Sequence, residues 1–164
     1  MKKVIIVLLA MMVAITVGAQ NKLIKSWDNY EVQTMQVGSA GTKFVKVWGY
    51  GRNVKKAILQ AKKNAVHACI FRGLPGTDAA MATPPLCREP NAFEMHKEYF
   101  SDFFADDGEF IRYINMTTDT TPSGTDMRKV SGGYKVALYI QVMYDNLRQK
   151  LEDDGIIRGL STGF

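Results

Sequence analysis

The chain has 164 residues, is 46% hydrophobic and 23% charged, and carries a formal net charge of +5. Those values fit one globular domain and exclude intrinsic disorder. The positive balance is mild and lacks the dense Lys/Arg stripe of a nucleic-acid binder.

Residues 1–19 read as a secretory signal peptide. Lys2 and Lys3 precede an almost wholly apolar run from Val4 to Val17, and Val17-Gly18-Ala19 places small side chains at the cut. About fourteen apolar residues fall short of the roughly twenty needed to span a bilayer. The mature chain, 20–164, is therefore expected outside the cytoplasm, in the periplasm or at the cell surface. Without Lys2 and Lys3 it carries about +3. No cysteine stands beside the cut to take a lipid, and no second span follows, so the product is soluble or peripherally attached.

Tyr30 to Val37 partly alternates, with Tyr30, Val32 and Thr34 on one side. After the turn Gly38–Gly41, the run Thr42–Tyr50 alternates more cleanly. Val45, Val47 and Gly49 share one face, and Phe44, Trp48 and Tyr50 the other. The pair predicts a β-hairpin. Asn53 caps a helix from Val54 to Phe71. Its apolar stripe is slim, built on Ala57, Ala61, Ala65 and Ala68, which lets the axis lie close to a sheet. Lys55, Lys56, Lys62 and Lys63 occupy the remaining surface, and Gly73 stops the helix.

Residues 74–90 hold Pro75, Pro84, Pro85 and Pro90 and read as one long loop. Asn91–Ala105 predicts a helix with an aromatic face of Phe93, His96, Phe100, Phe103 and Phe104. Glu109–Thr118 is rich in β-formers. Met127–Ser131 and Tyr134–Met143 flank Gly132-Gly133 as a second hairpin. Tyr144–Asp154 predicts a last helix, facing inward through Leu147 and Leu151, before an apolar tail that ends at Phe164.

The resulting order is β-β-α-(α)-β-β-β-α. It describes a single α+β domain, a two-layer sandwich of about five antiparallel strands packed by the Ala-rich helix.

Residues able to do chemistry are scattered. His67 and His96 sit on different predicted helices, outside any His-x-x-x-His or Cys-x-x-Cys pattern. His67 and Cys69 are two apart, about 200° around a helix, and cannot pair as base and nucleophile. Asp102, Asp106, Asp107 and Glu109 match no calcium loop and read as solvated charges at a helix end. Gly49-Tyr50-Gly51-Arg52-Asn53 lacks the third glycine of a dinucleotide fingerprint and the Gly-Lys-Ser/Thr of a P-loop. No metal or cofactor is expected. Cys69 and Cys87 are the only cysteines. In an oxidising compartment they read as one disulfide closing roughly eighteen residues, contributing about 3 kcal/mol. The alternative is a buried free thiol at Cys69.

A strand ending in Gly49-x-Gly51, an Ala-rich helix (Ala57, Ala61, Ala65, Ala68) and the late strand Tyr134–Val142 resemble two types of small exported domain. These are the LPP-twenty lipoprotein family and the N-terminal domain of the flagellar assembly protein T. The Val-Gly-Ala-Gln signal ending is similar to that of exported Bacteroidetes proteins. The chain departs from the lipoprotein family in lacking a lipobox cysteine and in carrying the Pro-rich insertion. The resemblance implies a non-catalytic envelope module that helps assemble a larger surface structure.

The expected function is accordingly accessory, binding other envelope proteins without nucleic acid or cofactor. The expected contact residues are Lys55, Lys56, Lys62 and Lys63 with the tail residues Ile156, Ile157 and Phe164. A small hydrolase or ligand-binding protein with a pocket near His96 is the alternative.

Overall fold

The computed structural model of the chain describes residues 29–38, 41–117 and 121–159. The predicted signal peptide, the lead-in to Asp28, and Phe164 lie outside the described residues. From Glu31 on, the described residues form one compact unit. Its strands are β1 (Val32–Val37), β2 (Thr42–Gly51), β3 (Ile114–Met116), β4 (Met127–Val130) and β5 (Gly133–Met143). They make one five-stranded antiparallel sheet in the order β1-β2-β5, with β3 and β4 sharing the far edge of β5. Helix α1 runs Val54–His67, α2 Ala92–Met95, α3 Lys97–Phe103 and α4 Tyr144–Asp153. The two-layer α+β arrangement expected from the sequence is the one observed.

The inner face of β2 buries Val45, Val47 and Gly49, and that of β5 buries Val136, Leu138, Ile140 and Val142. Period-two alternation over a half-buried sheet produces this division. Against it lies α1, started by Asn53, whose side-chain oxygen accepts the Lys56 N–H at 2.9 Å. Such a cap contributes about 1 kcal/mol. Ala57, Ala61 and Ala65 are fully buried, and the small side chains bring the helix backbone onto the strand. A Cβ at Gly49 would lie 2.3 Å from the Ala61 nitrogen, and one at Gly51 2.3 Å from the Ala57 nitrogen. Both glycines are therefore required by close approach rather than by turn geometry. Asn64, also fully buried, donates to the Trp48 carbonyl at 2.9 Å and accepts from Gln60 at 2.9 Å, so its amide is satisfied inside the core.

The first helix does not run α-helical to Phe71. After His67 the chain widens into a π turn over Ala68–Arg72, closed by Gly73, whose N–H donates to the Ala68 carbonyl at 2.7 Å. Gly73 has φ +80°, the conformation glycine accepts without strain. The widened end frees the Cys69 and Ile70 carbonyls, which accept from Leu86 N–H at 3.0 Å and Cys87 N–H at 2.8 Å. The Pro-rich segment is thereby stitched to the helix end. It also pairs with itself, Leu74 with Thr83 and Thr77 with Ala80, each pair exchanging N–H and C=O within the loop. Thr34, inward on β1, donates its hydroxyl to the Pro75 carbonyl at 2.6 Å, and a bulge between Thr34 and Gln36 follows.

Three sequence expectations change here. The aromatic helix breaks at His96 into α2 and α3. Residues Glu109–Tyr113 form a 3₁₀ turn rather than strand, leaving only Ile114–Met116 in the sheet. The turn packs Phe110 into the core against Phe104, 5.9 Å between ring centres, and that burial outweighs β propensity. The predicted disulfide is not formed: Cys69 and Cys87 are both buried free thiols. Their segments touch through main-chain bonds, and segment contact does not give two side chains the orientation a disulfide requires.

Candidate functional site

The outer face of the sheet carries a row of half-exposed and exposed aromatic side chains. Alternation places Phe44, Lys46, Trp48 and Tyr50 outward on β2 and Lys135, Ala137, Tyr139 and Gln141 outward on β5. Antiparallel register sets Lys46 opposite Tyr139, Trp48 opposite Ala137 and Tyr50 opposite Lys135. The small Ala137 leaves room beside the indole. Lys46 Nζ lies 5.2 Å from the Trp48 ring and 4.9 Å from the Tyr139 ring. Lys135 Nζ lies 5.6 Å from Trp48 and 5.5 Å from Tyr50. The result is a comb of alternating rings and cations, Tyr139–Lys46–Trp48–Lys135–Tyr50. Each such contact contributes on the order of 0.5–1 kcal/mol where solvent reaches it.

Two carboxylates hold the comb at its rim. Asp126 pairs with Lys46 at 2.8 Å, and Glu31 pairs with Lys135. The hydrogen bond that Lys46 donates to Asp126 is the main cause raising its pKa, and the one Lys135 donates to Glu31 does the same there, so both ammonium groups stay charged. From below, the Trp48 carbonyl is held by Asn64, and its N–H donates to the Glu31 carbonyl at 3.0 Å. The ring is thus positioned by a fixed backbone.

No family model, curated protein or solved structure matches the chain.

The residues singled out from sequence are spread over other surfaces. Lys55 and Lys56 are exposed on α1, whereas Lys62 and Lys63 are half-buried, and Lys63 is tied to Asp106 at 2.7 Å. That bond holds the Asp106 carboxyl below the usual range. Ile156 is buried, its N–H donating to the Leu151 carbonyl at 2.8 Å, so its side chain docks onto its own domain. Ile157 is half-buried and donates to the same carbonyl.

The histidines and acids do not converge. His67 packs on Phe71, 5.0 Å between ring centres, and burial pushes its pKa down to about 4. An imidazole held that low is neutral at pH 7 and a weak base. His96 lies edge-on to Phe100 at 6.4 Å. The open recess of about 480 Å³ beside the Pro-rich loop is lined by Val32, Arg72, Thr83 and prolines, without either histidine. Glu109 pairs with Lys150, which also pairs with Asp154, and Asp154 accepts from the Tyr99 hydroxyl at 2.6 Å. These acids fasten α3 to the end of α4. Among the described residues no group of three or more His, Cys, Asp or Glu is placed to hold a metal ion. No described helix is long and apolar enough to cross a membrane.

The two thiols are inert as placed. Burial pushes Cys69 up to about 12 and Cys87 up to about 11, so neither supplies thiolate near neutrality. A maleimide added to the native protein at pH 7 is expected to label neither. Unfolding in denaturant without reductant is expected to release two reactive thiols; mass spectrometry showing none would establish the disulfide instead.

Proposed function

We propose that this chain is a non-catalytic, exported module of the cell envelope that works by binding other envelope components. The observation that carries this reading is the aromatic–lysine comb on the outer sheet face. Large rings held half-exposed by lysines and carboxylates suit recognition, because little side-chain entropy remains to be lost when a partner arrives. The charged start, apolar run and small-residue cut at 1–19 support export. The resemblance to small exported lipoprotein-like and flagellar assembly domains supports an accessory role. The exposed Lys55 and Lys56 on the opposite layer offer a second contact surface.

Expression of the full chain in a Gram-negative host tests the reading. The expected product begins at Gln20, fractionates with the periplasm or is released from the envelope by salt, and cross-links to envelope proteins. Substituting Tyr50 and Tyr139 by serine is expected to abolish the cross-links while leaving processing intact. Retention of the uncut chain in the cytoplasm would overturn the proposal.

A further inference from the structure

At one end of the comb the charges do not balance. Register places Arg128 of β4 directly opposite Lys135 of β5, on the same face. Like charges in that relation repel across an antiparallel pair. Lys135 has Glu31 and Lys46 has Asp126, but among the described residues Arg128 has no acidic partner. Its side chain is exposed, as is Thr125 beside it. Together Trp48, Thr125, Asp126, Arg128 and Lys135 enclose a recess of about 90 Å³.

We propose that this recess binds the carboxylate of an acidic sugar residue in an envelope polysaccharide. Arg128 supplies a guanidinium fork whose paired N–H donors match the two oxygens of a carboxylate. Lys135 adds a second positive charge, held in place by two aromatic rings. The Thr125 hydroxyl completes the donor set, and the arrival of an anion removes the repulsion between the two cations. Asp126 lies on the rim as an acceptor for sugar hydroxyls, a role of no use to a bare anion. The Trp48 indole, flanked by the two lysines, gives the recess one apolar side for the sugar's C–H groups. The volume admits one anionic group, so the rest of the glycan runs across the comb. The choice of a polysaccharide rests on the envelope reading above; the anion site itself rests on the charges.

A titration of the purified chain with a galacturonate trimer tests the assignment. Tryptophan fluorescence is read in a Trp27→Phe background so that Trp48 alone reports. Saturable change is expected for the trimer and not for its methyl ester, which keeps the sugars and loses the charges. Arg128→Gln should weaken binding by about tenfold or more, the usual loss for one charge-assisted pair. Thermal midpoints should show that the variant remains folded. Equal binding of the ester, or an affinity unchanged in Arg128→Gln, would overturn the site. Binding of inorganic phosphate or a single-stranded oligonucleotide in preference to the trimer would overturn the sugar assignment. A chain that is exported and processed but ignores the trimer refutes the site and leaves the envelope role standing. A chain that binds the trimer but stays uncut in the cytoplasm refutes the envelope role alone.

Discussion

Replacing Gly49 by alanine is expected to destabilise the domain by about 3 kcal/mol or more, the upper end of the range for overpacking a closed interior. The added carbon would meet the Ala61 nitrogen at 2.3 Å and the Ala57 oxygen at 2.4 Å. Both are backbone atoms of α1, so no rotamer change relieves the contact and the whole helix must back away from β2. Displacement would also pull Asn64 from the Trp48 carbonyl and strand a buried amide. Removing a neighbouring methyl with Ala61→Gly should give no rescue, because the methyl is not what collides. Gly132→Ala provides the contrast. That glycine has φ +82° with nothing within 4 Å of the added carbon, so only backbone strain of about 1 kcal/mol is expected. Urea unfolding of the three variants measures the ordering. A Gly49→Ala protein as stable as Gly132→Ala would mean that α1 is not seated on the sheet as described.

The same contact explains why much of the fold was legible. Val45, Val47 and Gly49 alternate with Phe44, Trp48 and Tyr50, and a period of two has only one way to face a core. The alanine stripe of α1 and the glycines of β2 are complementary halves of one close packing, each visible in its own segment. The broken helix was not legible, because Phe93, His96 and Phe100 continue an acceptable helical face through the break. Nor was the 3₁₀ turn at Glu109–Tyr113, where the burial of Phe110 overrides the local preference. The π turn was equally hidden: the Cys69 and Ile70 carbonyls within it accept from Leu86 and Cys87, a tertiary contact that no helical periodicity carries.

The candidate binding face was less legible than the fold. Alternation places Trp48 and Tyr50 on one face, but nothing within either strand singles out Lys46 and Lys135. Only the β2–β5 register brings them between the rings, and register across so long a separation is not written in either strand alone. Lys55, Lys56, Lys62 and Lys63 drew attention because four lysines on one helix make a visible pattern. Lys63 in fact serves an internal bond to Asp106, and Ile156 fills the domain's own core. A useful signal was present in the small residue Ala137 amid larger neighbours, since a small side chain opposite a tryptophan makes room for its ring.

Phe100→Ala is expected to cost about 3–5 kcal/mol, the range for deleting a buried phenylalanine that cannot be replaced by collapse. Phe100 is fully buried on α3 and touches Phe71 at 4.7 Å, Phe93 at 5.8 Å and Tyr99 at 5.1 Å between ring centres. Phe103 and Phe104 complete the surround at 6.5 and 6.3 Å. Its neighbours come from the π turn, α2 and α3, so the ring is where three short segments meet. None of these is long enough to be a stable helix alone, and packing on Phe100 supplies what propensity does not. The cavity should stay open because α3 is fastened at Tyr99 to Asp154 of the α4 end and cannot slide inward freely. The thermal midpoint should fall by more than about 10 °C, with Phe100→Leu losing less because most of the apolar contact remains. Trp48 fluorescence should be preserved in Phe100→Ala at low temperature, since the comb lies on the other face of the sheet. A loss below about 1 kcal/mol would show that the aromatic layer closes around the gap, and that the short helices are held by something other than this ring.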